Sequence, residues 1–365
     1  MIPPTARAPH ASLAAWSALR ASGSDHGVLV TLVRAEGASK PIGAHLALAD
    51  DGRAFGSVTI GGCADGRALV AAARVRDSGE RELLTVPLGE EDALALGLGC
   101  AGDVELLAEP VSLAVASPVA QAYEAAETAL DGGARAALVT PLGGALGRLL
   151  VREDGARAGS TGSAGRDDVA AALGLTALRG GTDNGVHEVE GERWLVQLLT
   201  PTRTLLIVGA TEIAAALCTL AAPLGWRAVL IDPRDDVLAE PRFAAATERH
   251  AALPADIVAT RLGGPSTAVV VVAHDYKVEI PVLRVALRAG APYVGLLGSR
   301  KRAAAVRELL ADDGVSAAEL ETLRTPIGLA IGAQGAAEIA VSIVAELIAT
   351  WRGARSAVVG KGGAS

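Results

Sequence analysis

A chain of 365 residues is long enough for two or three domains, each with its own core. Half of its residues are apolar, 20% are charged and only three are cysteines, a balance that excludes a disordered or disulfide-stapled chain. The formal net charge of −8 argues against a nucleic-acid partner, whose phosphates must be met by Lys and Arg.

With aromatics at 2%, Ala, Val and Leu must fill the core, and 43 glycines agree with close backbone packing. Cys63, Cys100 and Cys218 form no disulfide-framework spacing, which fits a reducing, cytoplasmic setting. Met1 to Arg20 lacks the basic start and apolar run of a signal peptide. The longest apolar run, Ile213 to Trp226, is shorter than the roughly 20 residues of a membrane span, so no membrane insertion is expected.

In chain order, the pattern predicts a helix over Ala11 to Arg20 and a strand over Val28 to Arg34. The turn residues Gly37-Ala38-Ser39-Lys40-Pro41 follow, and a strand from Ala44 to Ala49 leads into the hairpin signal Asp50-Asp51-Gly52. The first segment, residues 1–115, reads as an α+β domain. A middle segment, 116–200, echoes it. Leu29-Val30-Thr31 returns as Leu138-Val139-Thr140, and Asp51-Gly52 before Gly56-Ser57 returns as Asp154-Gly155 before Gly159-Ser160. Internal duplication explains this, and so do two hairpins converging on the same turn residues.

The last segment, 201–352, alternates strands and helices as a parallel sheet does, with a flexible tail expected over 353–365. Its strands read as Thr204 to Val208, Ala228 to Ile231, Ala268 to Ala273 and Pro292 to Leu297. The helix Glu338 to Trp351 carries one apolar face through Ile339, Ile343 and Leu347. That face either packs on the sheet or serves an interface between chains, such as that of a homodimer.

Thr204 to Val208 runs into Gly209-Ala210-Thr211, where a Rossmann-like fold places its Gly-x-Gly-x-x-Gly turn. Thr211 replaces the glycine that lets a pyrophosphate approach the backbone, which weakens the NAD(P) reading. Asp232, at the end of the second strand, is placed to accept a ribose hydroxyl. The fold expected is therefore α/β, with a C-terminal Rossmann-like parallel sheet and an N-terminal α+β part. Ligands of such sheets sit beyond the strand carboxyl ends, which gathers Gly209, Ala210, Thr211, Asp232, Arg234, His274, Asp275, Gly298, Ser299, Arg300 and Lys301 as candidate binding residues. Ser299 is a good N-cap, yet Arg300, Lys301 and Arg302 oppose the helix dipole unless an anion such as phosphate binds there, or unless nearby carboxylates take them. His274 and Asp275 read as a proton-transfer pair or as supports of the crevice loop; no catalytic residue is identified.

Upstream, Gly61-Gly62-Cys63-Ala64-Asp65-Gly66 and Gly99-Cys100-Ala101-Gly102 hold thiols that a ligand can approach closely, or two small buried residues. Cys218 lies in an apolar helix and reads as core. No Cys-x-x-Cys pair or His spacing suggests a metal site.

At these residues the sequence resembles the XdhC/CoxI family of xanthine dehydrogenase accessory proteins. The resemblance rests on Gly61-Gly62-Cys63, Gly99-Cys100-Ala101-Gly102, His274-Asp275, Tyr293-Val294-Gly295-Leu296-Leu297-Gly298-Ser299-Arg300, Pro326-Ile327-Gly328-Leu329 with Ile331-Gly332, and Glu338 through Ile343 with Ala345-Glu346. It implies an accessory protein, a chaperone more than a catalyst, that binds the molybdenum cofactor (molybdopterin). Such a protein assists the cofactor's sulfuration with a cysteine desulfurase and its insertion into xanthine dehydrogenase or a related molybdenum hydroxylase. On that reading Gly61, Gly62, Cys63, Asp65 and Cys100 join the binding residues. The chain departs from the family where Gly-Ala-Gly-His becomes Gly209-Ala210-Thr211-Glu212 and where Gly-Leu-Asp-Ile-Gly becomes Gly328-Leu329-Ala330-Ile331-Gly332. An NAD(P)-dependent oxidoreductase is the alternative, and a scaffold bridging desulfurase and hydroxylase is a third reading.

Overall fold

The computed structural model describes residues 10, 12–35, 40–88, 102–181 and 183–353. The chain divides into two compact units, residues 1–201 and 202–365. The segments read separately from sequence as 1–115 and 116–200 share the first unit.

The first unit repeats one order of elements twice. Its first half contains α1 (Ala14–Ala21), β1 (His26–Ala35), β2 (His45–Ala49), β3 (Ala54–Gly56), α2 (Asp65–Ser78), β4 (Glu82–Leu88) and β5 (Gly102–Ser112). Its second half contains α3 (Pro118–Asp131), β6 (Ala136–Pro141), β7 (Arg148–Arg152), β8 (Arg157–Ser160), α4 (Ala164–Leu178), β9 (Gly185–Val189) and β10 (Glu192–Leu199). The sheets run β3-β2-β1-β5-β4 and β8-β7-β6-β10-β9, the same topology in both, with antiparallel neighbours throughout. The echoed fragments at Leu29 and Leu138 fall on β1 and β6, the middle strand of each sheet.

β1 is apolar almost end to end because both its faces are covered. Val28, Val30 and Leu32 pack with Ala68, Ala71 and Ala72 of α2, while Leu29 points into a second core shared with α1 and α3. That second core also takes Leu138 of β6 and Leu150 of β7, so it joins the two halves.

A buried polar cluster completes the join. Arg148, 1% exposed, opens β7 and donates through Nη2 to Glu109 Oε2 of β5 at 2.7 Å and through Nη1 to Tyr123 Oη of α3 at 2.8 Å. Arg81 holds the other oxygen of Glu109 at 2.6 Å. His45, which opens β2, bridges Thr31 Oγ1 and Tyr123 Oη at 3.1 Å each. Burial, and then the charge of Arg148, hold the imidazole of His45 well below its ordinary pKa.

The second unit is a doubly wound parallel sheet in the order β13-β12-β11-β14-β15-β16. Its elements are β11 (Thr204–Val208), α5 (Glu212–Ala221), β12 (Arg227–Ile231), α6 (Asp235–Leu238), β13 (Glu248–His250), α7 (Pro254–Arg261), β14 (Thr267–Val271), α8 (Tyr276–Arg288), β15 (Tyr293–Leu296), α9 (Arg300–Asp312), α10 (Ala317–Thr322), β16 (Leu323–Arg324) and α11 (Gly335–Trp351). Leu205, Ile207 and Val270 face α5 and α11, while Leu206, Val208 and Val269 face α7, α8 and α9. Ile343 and Leu347 of α11 lie in the first of these cores, so the apolar helix face is taken up by packing within the unit. Among the described residues, no helix is long and apolar enough to cross a membrane.

Candidate functional site

The chain leaves β11 and β14, neighbours in the sheet, toward opposite sides, and the switch point between their carboxyl ends is where such folds bind ligands. Gly209 stands there at φ +103°, and a Cβ on it would come within 2.7 Å of the Ala273 nitrogen. Only glycine permits that approach of the two crevice loops. Thr211 caps α5, its side chain accepting from Ala214 N; Asp275 caps α8 by accepting from Lys277 N at 2.9 Å; Ser299 caps α9 by accepting from Arg302 N at 3.2 Å. Three capped helix N-termini therefore lie at one edge of the sheet, where the helix dipoles favour negative charge. Asp275, read from sequence as half of a proton-transfer pair, serves here as a cap.

Asp232, 3% exposed, is fully engaged. Oδ2 accepts from Ala210 N and Arg234 Nη2, both at 2.8 Å, and Oδ1 accepts from Arg234 N at 3.0 Å and Nε at 2.8 Å. Burial raises its pKa, but the hydrogen bonds from Arg234 and Ala210 outweigh burial and hold the carboxyl below the ordinary range. All four lone-pair positions are occupied, so a ribose hydroxyl would have to displace Arg234.

The basic turn divides in two. Arg300 and Lys301 are exposed, while Arg302 turns inward and donates to both oxygens of Glu279 at 2.8 and 2.7 Å. Glu279 is fully buried, and burial pushes its pKa up against the pull of Arg302. Arg302 thus takes the carboxylate partner that the sequence left open. Gly298 lies against its stem, where a Cβ would meet Arg302 Cδ at 3.1 Å. Behind the turn, Glu346 Oε2 accepts from Gly328 N and Tyr293 Oη, both at 2.7 Å, and ties the Pro326 to Gly332 segment to α11.

In the first unit, Gly61 and Gly62 adopt φ of +84° and +75° in the turn before α2. Asp65 Oδ1 closes this turn by accepting from Val58 N at 3.0 Å, and the turn presents the half-buried Cys63 beside Ile60, which is 61% exposed. Asp65 therefore shapes the loop that carries the thiol. Cys100, with its glycine neighbours up to Ala101, and the loop at Gly37-Ala38-Ser39 lie outside the described residues. A cleft of about 450 Å³ in the same unit is lined by His26, Asp50, Arg76, Ser117 and Leu146, and none of the predicted residues borders it. Cys218 is buried, as its helix pattern predicts. Glu279 and Tyr276 at the crevice escaped the sequence reading, which stopped at the strand ends; a glutamate four residues past a helix cap ordinarily faces water.

Fold and site together define a two-unit α/β protein with a Rossmann-type C-terminal unit that gathers three helix N-termini at the carboxyl ends of its strands. A model of the XdhC Rossmann domain matches residues 205–347, and a model of the XdhC and CoxI family matches residues 21–87. The chain belongs to the XdhC and CoxI family. It is 27% identical over 329 residues to a probable xanthine dehydrogenase subunit of Bacillus subtilis strain 168, covering 89% of this chain and 93% of that protein. It is 28% identical over 326 residues to the molybdenum cofactor insertion chaperone PaoD of Escherichia coli strain K12, covering 88% and 82%. A solved structure described as a xanthine dehydrogenase from Bacillus halodurans superposes with a TM-score of 0.73 at 25% identity, covering 96% of this chain and 98% of that one.

Proposed function

We propose that this chain binds the molybdenum cofactor, accepts its sulfuration by a cysteine desulfurase, and delivers it in the cytoplasm to a molybdenum hydroxylase such as xanthine dehydrogenase. The observation that carries this reading is the crevice: capped N-termini of α5, α8 and α9 at one sheet edge, with Arg300 and Lys301 exposed on the last. Amides and cations so arranged are the donor set for a phosphate monoester, which the cofactor's pterin bears. Thr211 and the backbone of Gly209 on one side, and His274, Ser299, Arg300 and Lys301 on the other, would hold it. When bound, the cofactor supplies a molybdenum centre whose terminal ligand can be exchanged for sulfur. The engaged state of Asp232 favours this ligand over a dinucleotide, because the carboxylate that would read a ribose already holds Ala210 and Arg234.

The test is the pterin content of protein purified from a molybdopterin-producing host. Denatured wild type should release oxidisable, fluorescent pterin, and Arg300→Ala combined with Lys301→Ala should release several-fold less. Background fluorescence from folded wild type would overturn the reading.

A further inference from the structure

The chain has nine aromatic side chains, and eight of them are buried or half-buried. Tyr276 is the exception, at 40% exposure. A large ring left in water forfeits the burial that makes aromatics the main contributors to cores. This one stands at a particular place: it is the first residue of α8, directly after His274 and Asp275 at the carboxyl end of β14. That is the rim on which ligands of parallel sheets rest.

The ring is also held. The Arg302 guanidinium lies 4.4 Å from its centroid, and that guanidinium is fixed by both oxygens of Glu279, which is fully buried. Taking a carboxylate wholly out of water is costly unless a cation and its hydrogen bonds compensate it, so the Glu279–Arg302 pair is an expensive way to steady an exposed side chain. The result is a ring with its rotamer settled before any ligand arrives, backed on one face by a flat cation and open toward solvent. Preorganised aromatic surfaces of this kind lose little entropy on binding.

We propose that Tyr276 is the stacking platform for a planar heterocycle held in the carboxyl-end crevice of the second unit. The inference rests on the function proposed above in naming the pterin as that heterocycle; a purine shares the same stacking chemistry. The phosphate of the ligand would lie toward Ser299 to Lys301 while its ring lies on Tyr276.

The experiment uses the full chain and two fluorescence titrations, one with 6-hydroxymethylpterin monophosphate and one with a fluorescent ethenoadenosine monophosphate. Wild type should bind and quench the pterin. Tyr276→Ala, an exposed substitution whose folding is checked by circular dichroism, should bind it about tenfold more weakly with little quenching, and Tyr276→Phe should stay within about twofold of wild type. Equal affinity and quenching in Tyr276→Ala would overturn the platform and leave the pterin reading intact. Binding of the adenosine probe alone, weakened in Tyr276→Ala, would uphold the platform and overturn the pterin. Binding of neither probe by wild type would overturn both.

Discussion

Replacing Arg148 with leucine tests what joins the halves of the first unit. Arg148 shares with Arg81 the carboxylate of Glu109, which is 3% exposed, and it also donates to Tyr123 Oη and lies 5.4 Å from that ring. Removing one partner of a buried ion pair typically costs about 3–5 kcal/mol, because the remaining charge is left short of compensation. Retention of Arg81 on Glu109 Oε1 moves the cost toward the lower end, and loss of the Tyr123 contacts, about 1 kcal/mol, moves it back. The expected loss is about 3–4 kcal/mol, a large share of the roughly 5–15 kcal/mol that holds an ordinary domain. Urea unfolding of the whole chain at neutral pH measures it, read by near-ultraviolet circular dichroism of the stack between Trp16 and Tyr123, whose centroids are 4.3 Å apart. The second unit has its own pair, Trp226 and Trp351 with centroids 4.9 Å apart, so both variants are made in a Trp226→Phe, Trp351→Phe background that confines the indole signal to the first unit, with which the second need not unfold. Adding Glu109→Gln removes the half-compensated carboxylate but leaves Arg81, 13% exposed, with only backbone carbonyls for partners, so it should restore part of the stability and no more. A single-variant loss below about 1 kcal/mol, or strictly additive effects in the double variant, would refute the reasoning.

Three further outcomes follow from other sites. His45 is held neutral in the folded chain, whereas in the unfolded chain it titrates near its ordinary value of about 6.5. As pH falls below about 6.5 the unfolded state gains a proton that the folded state refuses, so His45 removes up to about 1.4 kcal/mol per pH unit until its folded pKa is reached. His45→Gln should flatten the urea-midpoint profile between pH 7 and 5 relative to wild type, and an unchanged slope would contradict the assignment. Gly209→Ala forces a Cβ to 2.7 Å from the Ala273 nitrogen at φ +103°, and should lower stability of the second unit by about 1–3 kcal/mol along with its pterin retention, measured by calorimetry and pterin release. In a Cys100→Ser background, a thiol reagent should titrate Cys63 in the native protein and Cys218 only in denaturant, because burial encloses Cys218 and pushes its thiol up to about 11.

Where local chemistry decides structure, the sequence was legible. Thr204 to Val208 was placed to the residue, because an apolar strand ends on a glycine that must adopt positive φ. The crevice residues followed from that strand and its neighbours, since parallel strands all deliver their carboxyl ends to one edge. The third strand was read two residues too long, to Ala273, because Val272 and Ala273 are as apolar as the strand while already forming the crevice loop. β13 escaped notice: Glu248, Arg249 and His250 form an edge strand with no apolar alternation, held by pairing to β12 alone. The ion pairs were equally hidden. Arg148 meets residues 39 and 117 positions away, and Arg302 meets a glutamate on a neighbouring helix 23 positions before it. Such partners are chosen by topology, which periodicity does not report.

The shared topology of the first unit's two sheets has a further consequence, one of symmetry. His45 opens β2 and Arg148 opens β7, the corresponding strand of the other sheet, and both reach the same Tyr123 hydroxyl. Glu109 and Gln197 likewise face Leu29 and Leu138, corresponding residues of β1 and β6, and lie almost wholly buried. Two identical chains assembled about a twofold axis would have to set arginine against arginine, or histidine against histidine, at such a junction. Because both halves belong to one polypeptide, each position is free to carry its own side chain, and a cation can sit opposite a neutral imidazole. Cleavage between β5 and α3 should therefore leave two fragments held to each other through that junction, eluting together on gel filtration.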